Sequence, residues 1–255
     1  MKDLEVTITK DEGEIREAQR LRFQVFNLEL NRGLKSSYEH DLDVDEFDPY
    51  CDHVIVRDLR SRDVIGTYRL MLGSAARKNI GFYSDHEFDL TNIKQLDGEV
   101  LELGRSCARK DFRDRALIPL MWETIAQYVK AHNVRYLFGC GSLYTMEPVE
   151  VSETFSLLKQ KYYSAPELRV APLAHCACPD VDGDLTVADE QAVFVKLPGL
   201  LKSYLRLGAI VCGPPALDQE FGTADFFMLL DIYNLSAEYL NRFGLTGSRV
   251  RDAVA

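Results

Sequence analysis

The sequence predicts an α/β (α+β) fold with a central, mixed but mostly antiparallel sheet of about seven strands flanked by helices. Three observations point there. Short apolar runs of strand type alternate with longer runs of helical period along the 255 residues. Two strand runs, 53–58 and 64–71, are joined closely through Arg60-Ser61-Arg62-Asp63, which suits an antiparallel hairpin. A third, Val100-Leu101-Glu102-Leu103-Gly104-Arg105-Ser106-Cys107-Ala108-Arg109, carries opposite charges and leads through a basic turn into a helix.

In chain order, Val6-Thr7-Ile8 alternates as a short strand. Apolar residues at Ile15, Ala18, Leu21, Val25, Phe26 and Leu28 then predict a helix over 14–29, with Arg22 and Phe26 on one face. The segment 38–52 is irregular and acidic, and follows Asn31, Gly33, Ser36 and Ser37, so it reads as a loop. Its Asp41-x-Asp43-x-Asp45 pattern is not a calcium loop, because Glu46 stands where the required glycine would be.

After the hairpin, Arg69 sits among apolar neighbours. A half-buried arginine needs an acidic partner, from the Asp loop or Glu102. In the run from Val100, residues three apart point to opposite faces of a regular strand. Glu102 and Arg105 share a face only if the strand is irregular, and Gly104 is where a bulge is tolerated.

A helix over 116–132 follows, then a buried strand at 136–140 and a helix over 148–162. Beyond a Pro-, Cys- and Asp-rich segment, 166–190, come the apolar run Ala192-Val193-Phe194-Val195, a short amphipathic helix over 198–207 and a last strand at 226–232. The domain reading is one unit over 1–245, with an extended C-terminal half, and a polar tail over 246–255.

Lys and Arg number 30 and Asp and Glu 40, a net charge of −10. A general nucleic-acid binder would carry the opposite excess. No run approaches the ~20 apolar residues that cross a bilayer, and the N-terminus lacks a signal-peptide pattern. The expected location is cytoplasmic, with peripheral membrane contact left open. Six scattered cysteines are then expected reduced. His175-Cys176-Ala177-Cys178 has no second paired cluster at zinc-finger spacing, so no metal is expected. No glycine-rich dinucleotide fingerprint is present.

Thr67-Tyr68-Arg69-Leu70, Phe82-Tyr83-Ser84 with Glu87-Phe88-Asp89-Leu90, Leu101-Glu102-Leu103-Gly104-Arg105-Ser106-Cys107 and Leu137-Phe138-Gly139-Cys140 resemble the bacterial ornithine lipid N-acyltransferases, often called hemolysin-like. Leu197-Pro198, Tyr204-Leu205-Arg206-Leu207-Gly208-Ala209 and Phe221-Gly222-Thr223-Ala224-Asp225 are similar to that family's C-terminal half. The family has the GCN5-related N-acetyltransferase (GNAT) fold and is related to acyl-homoserine lactone synthases and N-acyl amino acid synthases.

The resemblance implies transfer of a long fatty acyl chain from acyl carrier protein to the α-amino group of an amino acid such as ornithine. It implies no bound cofactor, only acyl carrier protein or acyl-coenzyme A as co-substrate. It makes Glu102 and Arg105 the catalytic pair and places substrate contacts at Arg22, Phe26, Asp45, Asp48 and Arg69. The acyl-homoserine lactone synthase pattern also has a tryptophan after the first helix. Here the only tryptophan is Trp122, so the amine pocket differs.

In common acetyltransferases a glycine-rich turn cradles the coenzyme A pyrophosphate on backbone N–H groups. The corresponding Arg113-Asp114-Arg115-Ala116-Leu117-Ile118 has no glycine, which favours a carrier-protein arm with one phosphate. Ser106, Cys107, Ala108, Arg109, Arg113 and Arg115 would meet that arm. Arg105, Arg109, Lys110, Arg113 and Arg115 form a basic patch for an acidic carrier. Tyr162 is a candidate acid for the leaving thiolate, weighed against simple core packing. Two other readings remain open: acetyl-coenzyme A-dependent N-acetylation, and a non-catalytic module that binds an acyl chain or carrier protein.

Overall fold

The computed structural model describes residues 3–113 and 117–245. In chain order its elements are β1 (Leu4–Thr9), α1 (Glu12–Phe23), β2 (Asp52–Asp58), β3 (Val64–Leu72), α2 (Gly73–Ala76), β4 (Phe88–Asp89) and α3 (Thr91–Lys94). There follow β5 (Glu99–Ala108), α4 (Leu117–Ala131), β6 (Val134–Leu143), α5 (Pro148–Tyr162) and β7 (Ala171–Pro172). The chain closes with α6 (Glu190–Lys196), α7 (Gly199–Leu207), β8 (Ile210–Val211), β9 (Ala216–Asp218), β10 (Thr223–Asp231) and α8 (Ala237–Arg242). No described helix is long and apolar enough to cross a membrane. The predicted polar tail, 246–255, lies outside the described residues.

The described residues form two compact units, and the first comprises 3–82, 99–113, 117–135 and 237–245. Its strands run antiparallel in the order β1-β2-β3-β5. Asp11 caps α1 by accepting from the Glu14 N–H at 3.0 Å, and acidic Glu12 and Glu14 suit the helix N-terminus. Ala18 and Leu21 of α1, with Val25 beyond it, pack on Ile55 and Cys107. The α4 helix packs against β1 and β2, and Gly66, paired with Val56, leaves room for Met121 of α4. Alternation puts Ile55 and Val56 on opposite faces, so each helix covers one face.

The first helix is shorter than its periodicity predicts. Regular α-geometry ends at Phe23, and Gln24–Glu29 widens into a π-helix, with the Leu30 N–H donating to the Val25 carbonyl at 3.0 Å. Arg22 and Phe26 therefore fall on either side of the change in helical geometry.

The second unit comprises residues 83–98 and 136–236. Its strands lie in the order β6-β10-β8, with β9 also on β10, and β4 pairs with β7 in a separate ribbon. Consecutive residues of β10 serve its two faces: Phe226 meets Phe155 of α5, whereas Phe227 stacks on Phe138 and meets Phe88 edge-on. The apolar run Ala192–Val195 lies in α6, where Asp189 caps the helix by accepting from the Ala192 N–H at 2.9 Å. Four main strands in each unit give eight where the sequence pattern gave about seven.

Candidate active site

The site is built in the first unit, where β3 and β5 pair beneath the acidic loop. Thr67 pairs with Cys107 and Arg69 with Gly104, so Tyr68 alone stands opposite Arg105 and Ser106. That is one extra residue on β5, a β-bulge. Arg105 itself takes the left-handed conformation, with φ of 50°. The irregularity the sequence required is present, one residue beyond the expected Gly104. A side chain at positive φ costs ~1–2 kcal/mol, and such residues persist only where their surroundings enforce them.

The bulge sorts the side chains. Glu102 is buried and shares a face with Gly104, the partner of Arg69. Arg105 reaches the same side, because its guanidinium meets the carboxylate that Arg69 also binds. Ser106 goes to the other face, to a hydrogen bond with Tyr68. A Cβ built on Gly104 meets open space, leaving room above Arg69 and beside Glu102.

Three arginines and three aspartates converge here. Arg22 grips Asp48 with both terminal nitrogens, at 2.9 and 2.7 Å, and Gln19 donates to the same carboxylate at 2.9 Å. Arg22 also donates to the Asp43 carbonyl, and its Nε lies 2.8 Å from the Asp43 carboxylate. Arg69 reaches Asp48 at 3.0 Å and Asp45 at 2.5 Å. Arg105 donates to Asp45 at 3.0 Å, and its Nε is 3.5 Å from Asp43. His53 hydrogen-bonds the Asp48 carbonyl at 3.1 Å. The six formal charges cancel, as burial demands.

Burial alone would raise the Asp48 pKa, but attraction and hydrogen bonding from Arg22, with Arg69, hold it well below the usual carboxylate range. Asp45 is also raised by burial and lowered more by Arg69 and Arg105. Both carboxylates are therefore ionised. Burial lowers the His53 pKa and favours its neutral ring. Burial pushes the Cys51 and Cys107 thiols up to about 12, so neither is a nucleophile near neutral pH.

The other predicted residues are placed as follows. Phe26 is half-buried in the π-helix against the α1 core. The Cys107 side chain belongs to that core, and Ala108 ends β5, its carbonyl accepting from Arg113 Nε at 2.9 Å. Arg113 also holds Glu29 with two nitrogens. Arg109 is shared between Asp63 at 3.0 Å and Asp111 at 2.8 Å, and lies over the Phe112 ring. Lys110 is exposed, and Arg115 lies outside the described residues. The expected basic patch is thinner than the sequence suggests: Arg105 is drawn inward to Asp45, and Arg109 and Arg113 are ion-paired. Tyr162 is half-buried at the end of α5 in the second unit.

Sequence reasoning left out Asp43, Gln19 and His53. Asp43 is wholly buried between two arginines. Its only local signal, alternation with Asp41 and Asp45, also fits a solvated loop. Gln19 lies three residues before Arg22, on the same helix face.

In the second unit, Glu87, Cys140 and Asp225 each bring a potential ligand atom within 4.8 Å of the others, and the Cys140 thiol donates to Glu87 at 3.3 Å. His175, Cys176 and Cys178 turn to the backbone carbonyls of His86 and Pro215, and so staple loops.

Residues 21–123 match the acetyltransferase (GNAT) domain family. An L-ornithine N(alpha)-acyltransferase of Brucella abortus is 33% identical over 96% of this chain and 90% of its own length. Another from Rhodobacter capsulatus is 32% identical over 92% of each chain. Among solved structures, the acyl-homoserine lactone synthase LasI superposes with a TM-score of 0.51 at 11% identity, over 94% of this chain and 93% of its own. The last similarity concerns the fold.

Proposed function

The chain belongs to the L-ornithine N(alpha)-acyltransferase family and is an acyltransferase of GNAT fold, and on that premise we propose that it moves a long fatty acyl chain from acyl carrier protein to the α-amino group of ornithine. The acceptor is taken from the relatives' names. The donor rests on the sequence 113–118, which has no glycine to cradle a pyrophosphate.

The observation that carries the chemistry is the bulge at Arg105. It puts Glu102 and Arg105 on one face beside Gly104, whose missing side chain leaves space for an amine. There Glu102 takes a proton from the ammonium, directly or through a water, and frees the nitrogen lone pair. The neutral amine attacks the thioester carbonyl, the C–N bond forms and the C–S bond breaks. Glu102 releases that first proton to bulk water, then takes the second from the nitrogen of the adduct and delivers it to the departing thiolate. At the bulge the strand ladder is interrupted, and backbone N–H groups from Ser106 to Ala108 are the proposed partners of the oxyanion.

Asp45, Asp48 and Arg69 hold the acidic loop over this space. Asp45 and Arg69 lie at its edge, where an amino acid would be anchored. Arg22 acts on that loop through Asp48, and Phe26 is the apolar residue offered to the acyl side.

The test is acyl transfer by the purified protein, with a long-chain acyl carrier protein, a long-chain acyl-coenzyme A and acetyl-coenzyme A offered in parallel to a panel of amino acids. Mass spectrometry should find N-acylornithine, formed fastest from the carrier protein. Product only from a coenzyme A donor would overturn the donor assignment. Another amino acid as the preferred acceptor would overturn ornithine.

A further inference from the structure

We infer that Asp43 is a positioning residue that fixes the bulged Arg105, and through it the catalytic face of β5. Asp43 is fully buried, and its carboxylate stands between Arg22 Nε at 2.8 Å and Arg105 Nε at 3.5 Å. The backbone ties it down as well: its N–H donates to the Gln19 carbonyl at 3.1 Å, and its carbonyl accepts from Arg22. Both side-chain contacts of this carboxylate are ion pairs with arginines. Asp43 therefore acts by charge.

The charge has a mechanical consequence. Arg105 adopts a left-handed backbone that an L-residue takes only under constraint. Its guanidinium is anchored on two carboxylates, Asp45 by a hydrogen bond and Asp43 by the ion pair. Asp45 also answers to Arg69, and Asp43 also answers to Arg22 of α1. Asp43 thus couples the first helix to the bulge. Without its charge the cluster carries three arginines against two aspartates, and Arg105 loses its ion pair with Asp43.

This inference rests on the acyl-transfer reading for its kinetic arm only. The variants are Asp43→Asn, Arg105→Gly and the pair together, measured by kcat and KM, by hydrogen exchange over residues 103–108, and by thermal melting. Asp43→Asn should lower kcat on the order of ten- to a hundredfold, the scale of a misplaced catalytic group, with little change in KM for the donor. It should also speed exchange at 103–108.

Glycine accepts the left-handed turn without an anchor, so Asp43→Asn added to Arg105→Gly should change neither readout further. The pair, with two charges of each sign, should melt above Asp43→Asn alone. That comparison also serves if Asp43→Asn by itself does not fold. Additive losses in the double variant, unchanged exchange at 103–108, or a pair that melts no higher than the single variant would each overturn the inference. If exchange and melting behave as stated but the unsubstituted protein acylates no amino acid, the proposed function fails and the positioning role stands.

Discussion

Arg105 donates to Asp45 at 3.0 Å from a left-handed backbone with φ of 50°. The strain and the ion pair belong to one device: the carboxylates above the sheet hold a turn that β5 would not otherwise make. The turn gives Glu102 and Arg105 a common face. Arg105→Gly separates the two effects. It relieves ~1–2 kcal/mol of backbone strain and leaves buried carboxylates short of a cation, which costs ~3–5 kcal/mol. Denaturant unfolding should show a net loss of about 1–4 kcal/mol, the difference of those two terms. No loss would mean that the ion pair contributes nothing to the fold.

Gly104 has a different task. Its backbone is not left-handed, and a Cβ there meets open space. Gly104→Ala should therefore leave stability unchanged or raise it by up to ~1 kcal/mol, through the loss of unfolded-chain freedom. Its methyl would enter the space proposed for the amine, so KM for ornithine should rise. A lower melting temperature would show that the glycine is there for the fold.

Acid should unfold the protein in two stages. The His53 pKa is depressed below 6.5 by burial, so the unfolded chain protonates first. Stability therefore falls as pH drops below 6.5, until the folded histidine titrates too. Asp45 and Asp48 are depressed below 3.8, since their arginines outweigh the cost of burial. Their contribution is complete above 3.8 and is lost as pH falls from there through the folded values. Urea unfolding from neutral pH downward should show both stages, and His53→Gln should remove the first alone. A single loss confined to pH below 3.8 would contradict the neutral, buried histidine.

Burial holds the Cys51, Cys107 and Cys212 thiols near 12. The folded protein should therefore leave all three unalkylated near neutral pH. Quenched turnover should show no acyl group on Cys107, as direct attack by the amine requires. An acylated Cys107 would indicate a covalent route.

Much of the framework was legible because its signals are local. Pro148 at the first helical position and the apolar face through Val151, Phe155 and Leu158 delimit α5, which matches its expected bounds. The five-residue link at 59–63 likewise announces the β2–β3 hairpin. β8 and β9 are too short to show a period, and the apolar run at 192–195 is helical, with Asp189 as its cap. Glu102 and Arg105 were visible as charges in an apolar strand. The bulge was expected at Gly104, and its left-handed residue is the neighbouring Arg105, since the anchors that enforce it come from a loop some 60 residues earlier. Asp43 looked like one solvated acid among several. Only the tertiary approach of Arg22 and Arg105 gives it a function.

The central claim is that Glu102 is the base that frees the amine. Initial rates of N-acylornithine formation, with acyl carrier protein as donor, should be compared between the unsubstituted protein and Glu102→Gln at equal folded fraction. A general base is worth about 10²–10⁴ in rate, so Glu102→Gln should lose that much in kcat while donor KM is kept. Turnover by Glu102→Gln at the unsubstituted rate, with ornithine still the acceptor, would contradict the claim.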